Sequence, residues 1–204
     1  MDKWNKYLLV FLLLSNSSLL WASDVLVKKI SGQATVSGKV LKESDKILFG
    51  SIIELKNKKD YIDFEYDNGT VIRIQGGKAK INPLNKGNFK IQLLVGKLFA
   101  YVKKLSNNRT FSVKTRVAAY GVRGTKFMVE VANDKDYLCV CEGVVEAKKN
   151  SSEKGKHMKV VSVKVHEDLW IKTNSESYSP SKASSDMLGM AGESFKEMGF
   201  PVEW

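Results

Sequence analysis

The chain has 204 residues, of which 43% are hydrophobic, and a formal net charge of +11 from 33 basic and 22 acidic side chains. This composition is typical of a globular domain with a basic surface. The lack of a fixed-period repeat or a low-complexity tract excludes a repeat array. The positive charge bears on partners and solubility rather than on the fold. Many lysines stand singly between apolar residues, which predicts solvated strand faces more than one dense basic patch.

The first residues have the layout of a secretory signal. Lys3 and Lys6 precede an apolar run at residues 7–14, which continues weakly to Ala22. Polar residues interrupt the run, so it falls short of the roughly 20 apolar residues that a membrane-spanning helix needs. We therefore expect cleavage after Ala22, with no stable membrane span in the mature chain and no nearby cysteine to accept a lipid. The expected location is the periplasm or the medium.

After the signal, glycines punctuate short apolar runs, a spacing that favours one all-β domain over residues 23–172. The first strand is predicted at residues 25–30. Residues 89–95 and 96–102 indicate two strands with a turn between them, because Gly96 separates their apolar runs. The predicted architecture is a set of stacked short antiparallel strands, sandwich-like or solenoid-like, with a short helical tail.

The clearest hairpin spans residues 61–74. Its alternate apolar residues share one face, whereas Asp63 and Glu65 lie on the other face, where Arg73 is available to pair across the strands. The turn of this hairpin comprises Asp67, Asn68 and Gly69. The Asn-Gly pair within it suits a two-residue turn with positive φ.

Residues 111–131 hold two strand-like runs that are joined by a segment with two glycines. The glycines indicate a backbone conformation or a close approach that a side chain would forbid. A phosphate-binding loop does not fit, because Thr precedes Lys here and a strand follows instead of a helix. We therefore expect no nucleotide ligand. No nucleic acid partner is expected for this chain either. The turn residues of the segment are Gly121, Val122, Arg123, Gly124, Thr125 and Phe127.

Arg123 is the most polar member of this turn. Its guanidinium carries five donors in a fixed fork, which suits a structural lock on loop carbonyls or on a carboxylate. A contact with an anionic ligand is the alternative. We favour the lock.

Cys139 and Cys141 stand two residues apart in a strand-like run. Their side chains are expected on the same face, roughly 6.5 to 7 Å apart, which is beyond comfortable disulfide reach. Two buried free thiols are predicted, and a redox role stays open, although the pair lacks the helix amino end that lowers a thiol pKa. His157 and His166 add no compact zinc-ligand spacing. No metal, cofactor or catalytic residue is predicted.

The β pattern gives way to a polar linker at residues 173–185, and a tail follows at residues 186–204. A short amphipathic helix is predicted at residues 186–198, with Ser184 or Ser185 as its cap and Gly199 as its stop. The tail is apolar for a free segment, so it either docks on its own domain or binds a groove of a partner. The side chains that would bind a partner are Met187, Leu188, Phe195, Met198, Phe200 and Trp204.

Several segments resemble the FecR domain family of exported β-rich proteins. The most specific is Val-Arg-Gly-Thr-x-Phe at residues 122–127. The others lie at residues 67–74, 96–102, 111–115 and 141–145. The resemblance covers residues 25–171. It departs from the family at Arg116, where proline is usual, at the inserted Asn68, and at residues 165–169, which lack an opening glycine.

The resemblance implies a non-enzymatic module in the periplasm or outside the cell. Its namesakes are membrane-spanning regulators that sense a ferric-siderophore receptor and control a sigma factor. This sequence shows no sigma-binding segment ahead of a spanning helix. We therefore expect a free-standing module that binds an envelope protein through exposed strand edges or the tail, in signalling or scaffolding.

Two alternatives to a protein partner stay open. The basic surface suits an anionic envelope polysaccharide or wall polymer, and the Cys-x-Cys pair suits a thiol-dependent redox protein.

Overall fold

The computed structural model describes residues 25–66, 69–82, 88–104, 110–151, 158–175 and 177–202. The signal predicted at residues 1–22 lies outside these ranges, as do Asp67, Asn68, His157 and Trp204. The described elements are β1 (Val25–Ser31), β2 (Ala34–Val36), β3 (Lys39–Val40), β4 (Lys46–Ile47), β5 (Ile52–Leu55), β6 (Tyr61–Tyr66), β7 (Thr70–Asn82), β8 (Phe89–Val102), β9 (Phe111–Lys114), β10 (Ala118–Val122), β11 (Thr125–Ala132), β12 (Lys135–Glu142), β13 (Val144–Lys149), β14 (Val160–Lys164), β15 (Glu167–Lys172), β16 (Ser181–Lys182) and α1 (Ser185–Glu197).

The strands form one hydrogen-bonded sheet that folds into two layers, because β7 and β8 are long enough to take part in both. The first half of β7 pairs with β6 and with the second half of β8. The second half of β7 pairs with β5 and with the first half of β8. Layer 1 therefore runs β4, β1, β6, β7, β8, β11, β12, β15 and β16. Layer 2 runs β3, β2, β5, β7, β8, β9, β10, β13 and β14.

Three glycines allow the two long strands to bend between the layers. Gly76, Gly77 and Gly96 all have positive φ, at 52°, 122° and 102°. A Cβ atom on Gly96 would lie 1.6 Å from the carbonyl oxygen of Gly76, so only glycine permits this close approach. The turn predicted at Gly96 is therefore wrong. The chain bends there within a single strand of 14 residues, Phe89–Val102.

Side chains that point inward from the two layers meet in one apolar core. Phe111 of β9 and Phe127 of β11 contact each other across the layers, with ring centroids 6.3 Å apart. Tyr66 of β6 stacks on Phe89 of β8 at 4.1 Å. Burial alternates along most strands with the period of two expected from the sequence. The all-β, sandwich-like fold class is confirmed.

A buried carboxylate links the layers inside this core. Asp136 of β12 accepts hydrogen bonds from the hydroxyls of Thr115 and Tyr120, the latter at 2.9 Å. Burial raises the pKa of Asp136, and the two hydrogen bonds oppose that shift only in part. Folding therefore makes the charged form of Asp136 less favourable than it is in the unfolded chain.

The hairpin predicted at residues 61–74 is formed by β6 and β7. The register pairs Tyr66 with Thr70, so three residues connect the strands rather than the predicted two. Gly69, the described residue of this connection, has a φ of 131°.

Residues 173–185, predicted as a linker, contain some regular structure. Ser181–Lys182 adds to the edge of β15, and Tyr178 packs against the core. In the part of the chain that the structure describes, no helix is long and apolar enough to cross a membrane.

Candidate functional site

Helix α1 covers part of the outer face of layer 1. Ser184 caps its start by accepting a hydrogen bond from the backbone N–H of Met187 at 3.4 Å. Asp186 in the first turn and Lys196 in the last turn both suit the helix dipole. Gly199, with a φ of 88°, follows the end of the helix. The helix begins and ends one residue earlier than the sequence predicts.

The tail docks through an apolar stripe. Phe195 is fully buried and meets Phe99 of β8 edge to face, with ring centroids 6.1 Å apart. Phe200, beyond the helix, stacks on Tyr101 at 4.0 Å. The buried residues of this interface are Phe99, Met128, Tyr137, Cys139, Cys141, Ala183, Ala191 and Phe195. The tail therefore docks on its own domain, which is one of the two alternatives that the sequence leaves open.

The remaining tail residues proposed for partner binding also take part in this docking. Met187, Leu188 and Met198 are half-buried against the same interface. Trp204 lies outside the described residues. Partner binding by the tail stays a prediction, and it would require these side chains to leave the sheet.

A buried arginine fixes the end of α1 to layer 1. Arg73 is 2% exposed and donates to both carboxylate oxygens of Asp63, at 2.7 and 2.9 Å. It also donates to Glu197 of α1 at 2.6 Å, and its guanidinium lies 3.9 Å from the centre of the Tyr61 ring. The pairing predicted between Asp63 and Arg73 is confirmed, whereas Glu65 pairs with a lysine of β1.

Sequence reasoning missed Glu197 as the third member of this cluster. It lies 124 residues from Arg73, and no local pattern links the two. Because Arg73 and Asp63 are both desolvated, the pair is costly to break by removing one partner. Glu197 is 58% exposed, so its bond is weaker but connects the helix to the buried pair.

The structural lock predicted for Arg123 has no partner among the described residues. Its side chain is exposed at the bend between β10 and β11. It forms no hydrogen bond or ion pair with any other described residue. The loop sequence identifies a turn but does not tell which of its side chains faces inward. The buried arginine that fixes two elements is Arg73.

The Val-Arg-Gly-Thr segment is the place where the chain crosses from layer 2 to layer 1. Gly124 has a φ of 71°, whereas Gly121 is ordinary extended backbone in β10, so the predicted need for glycine holds only at Gly124. The buried side chains of the segment are Val122, Thr125 and Phe127. The segment packs on Gly143, where a Cβ atom would lie 2.7 Å from the carbonyl oxygen of Gly124.

This contact joins two of the family-like segments. Gly143 lies where the chain returns from β12 in layer 1 to β13 in layer 2. Both crossings therefore sit side by side at one place. The signature forms the turn between the two layers, and the sequence favours this structural interpretation over a ligand loop.

Cys139 and Cys141 are free, buried thiols beneath α1, as predicted. Cys141 is the extra residue of an irregularity in the pairing of β11 with β12, between Lys126 and Phe127. Hydrogen bonding to Cys139, together with burial, raises the pKa of Cys141. While the helix is docked, a redox partner has no access to the pair.

Comparison with known families supports the resemblance over a central segment. Residues 56–146 match the sequence model of a family described as FecR protein. No curated protein matches the chain.

Comparison with solved structures supports the fold. A proposed anti-sigma factor from Parabacteroides distasonis ATCC 8503 is similar, with a TM-score of 0.56 and 16% identity over 68% of this chain and 62% of that chain. A second structure of a proposed anti-sigma factor from the same organism has a TM-score of 0.44 and 16% identity, over 69% and 60% of the two chains. This chain thus matches less than two thirds of the length of either neighbour. Together with the sequence match, the observed turn and crossings support a FecR-like domain over residues 56–146.

Proposed function

We propose that the chain is a non-catalytic binding module of the cell envelope that acts in signalling through a protein partner. The FecR match supports this direction, as does the fold shared with a proposed anti-sigma factor. The signal-like first residues support export to the periplasm or the medium. In this role the domain presents a surface to its partner and carries out no chemistry of its own.

The free edge of β14 is the observation that carries the proposal. β14, Val160–Lys164, pairs with β13 on one side and with no other described strand on the opposite side. The N–H of Lys164 donates to the carboxylate of Glu167 at 2.8 Å, and the other backbone N–H and C=O groups on this side have no strand partner among the described residues. Those groups are available for an added strand. The other strands at the ends of the layers, β3, β4 and β16, have two residues each and are too short to serve as a template.

The side chains of β14 also suit an added strand. Val161 and Val163 point into the core, whereas Val160 is 50% exposed. A partner strand would continue layer 2 and cover outward apolar surface at Val160. The charged side chain of Lys164 at the end of the strand disfavours pairing with unrelated strands, which is a common role of lysine on edge strands.

Site-specific photo-crosslinking in cells tests the proposal. A photoreactive side chain in place of Ser162, an exposed residue at the centre of β14, should yield one discrete crosslinked protein. The matched control places the same group at Val40, which is exposed on the two-residue strand β3. Equal crosslinking at both positions, or none at Ser162, would contradict a partner at the β14 edge.

A further inference from the structure

The outer face of layer 2 carries a row of side chains that no single segment of the sequence contains. Strand register places seven outward residues next to one another across seven strands. In order across the face they are Ile52, Lys80, Gln92, Lys114, Ala119, Lys148 and Val160. Each of them alternates with buried residues of its own strand. We call this set the lysine row.

Lysines occupy every second strand in the middle of the lysine row. Lys80, Lys114 and Lys148 are separated by the neutral residues Gln92 and Ala119. At a strand spacing of about 4.8 Å, successive lysines lie about 9.5 Å apart. None of the three forms an ion pair with another described residue. Positive charges at a regular interval along a line are complementary to a linear polyanion more than to a single small anion.

The rest of this face strengthens the positive field. Its further lysines are Lys78, Lys90 and Lys164, and its described carboxylates are Glu54 and Glu146. Glu54 is already paired with Lys78 at 2.8 Å. On the outer face of layer 1, by contrast, Lys97 pairs with Glu130 at 3.6 Å and Lys126 pairs with Glu142 at 2.8 Å.

We infer that the lysine row is a binding surface for a linear anionic polysaccharide that lies across the strands of layer 2. Between the lysines, Gln92 and the neighbouring Ser112 offer an amide and a hydroxyl, which suit the hydroxyl groups of sugars. A lipid surface fits less well, because the described outward residues of this face include no Trp or Tyr, the side chains that favour a membrane interface. The row reaches the β14 edge only at Val160, and its three lysines lie on other strands, so this inference does not rest on the proposed protein partner.

The test uses the full chain and polygalacturonate, a linear polysaccharide with a carboxylate on each sugar, with uncharged dextran as the neutral polymer. Binding to polygalacturonate should weaken with salt and be absent with dextran. A triple variant with Gln at Lys80, Lys114 and Lys148 should bind about tenfold more weakly, because each exposed charge contact contributes modestly. The matched control has the same loss of charge at exposed positions away from the row, Lys42, Lys182 and Lys196, and should bind within about twofold of the parent protein.

Three results would overturn the inference. Equal weakening in the two triple variants would mean that net charge alone attracts the polymer. Affinity unchanged at 1 M salt, where the screening length is about 3 Å, would exclude the electrostatic contact. Row-dependent binding to phosphatidylglycerol vesicles without binding to polygalacturonate would assign the face to a membrane. An unfolding midpoint equal to that of the parent protein separates loss of binding from loss of fold.

Discussion

In both layers, outward residues alternate with core residues along the strands. However, α1 covers part of one outer face, whereas the other outer face is open. On layer 1, outward residues such as Phe99 and Met128 are apolar and lie buried under α1. On layer 2, the lysine row alternates lysines with Gln92 and Ala119 between two exposed apolar residues at its ends, and no described element covers it. The comparison shows that the identity of the outward residues decides which face packs and which stays available. A strand pattern alone does not distinguish the two.

The faces should also differ in how much each side chain contributes to stability. When a buried group under α1 loses its contact, water does not take the place of the missing partner. The lysines of the open face, by contrast, are hydrated in both the folded and the unfolded chain. Substitutions on layer 1 should therefore destabilise the protein, and substitutions on layer 2 should affect binding.

The largest effect is expected at Arg73. The substitution Arg73→Met leaves the buried carboxylate of Asp63 without its partner, so the free energy of unfolding should fall by about 3–5 kcal/mol. Urea unfolding measures this loss. The matched control is Arg123→Met, which removes an exposed arginine and should change the free energy by less than about 0.5 kcal/mol. Similar losses for both arginines would contradict the assignment of the lock to Arg73.

The free energy of unfolding should fall by about 3 kcal/mol in Phe195→Ala, a smaller loss than in Arg73→Met. The substitution removes the ring that packs on Phe99 and so weakens the docking of α1. Thermal or urea unfolding measures it. Phe200→Ala serves as the comparison, since Phe200 is only half-buried on Tyr101 and should cost about 1 kcal/mol. A larger loss of stability in Phe200→Ala than in Phe195→Ala would mean that the main docking contact lies beyond the helix rather than beneath it.

The pH dependence of stability should report Asp136, the buried carboxylate between the layers. Its pKa in the folded state is raised above the ordinary value of 3.8 by burial, so the folded state binds a proton more readily than the unfolded chain. Asp136 therefore contributes to the free energy of unfolding at low pH. This contribution is lost as pH rises through the folded-state pKa. The parent protein should thus become more stable relative to Asp136→Asn as pH is lowered from 7 towards 4.5.

Paired urea titrations of the two proteins at each pH give this difference directly. The other carboxyl groups titrate alike in both proteins and cancel in the comparison. A constant difference between parent and variant across this range would show that the folded state does not raise the pKa of Asp136.

The smallest effect on stability is expected on the open face. Replacing Lys80, Lys114 and Lys148 together with Gln should change the free energy of unfolding by less than about 0.5 kcal/mol per site, in either direction. Unfolding in urea measures it. A loss of several kcal/mol would mean that the lysine row packs against part of the protein and is not an open surface.

Local features of this fold could be predicted from the sequence, because their causes are local. The alternation in residues 61–74 predicts a hairpin with Asp63 facing Arg73, and the serine and glycine around α1 predict both ends of the helix within one residue. The same holds for the two buried thiols, since period-two spacing places them on one face of β12.

Features that depend on distant pairing could not be predicted. The bend at Gly96 requires Gly76 of the neighbouring strand, so the sequence of β8 alone suggests a turn. The lysine row depends on the register of seven strands, and each lysine by itself indicates only a solvated strand face. Arg73 lies within a strand-like run and Arg123 lies in a turn, and the sequence does not show that α1 packs over Arg73.

Cysteine labelling tests the difference between the two faces most directly. A maleimide reagent is added to the native full chain, to a chain that ends at Ala183, and to an Ala119→Cys variant in which both native cysteines are replaced by Ser. The account predicts slow modification of Cys139 and Cys141 in the full chain, fast modification once α1 is absent, and fast modification at position 119 on the open face. Fast modification of both native cysteines in the full chain would contradict a covered layer 1.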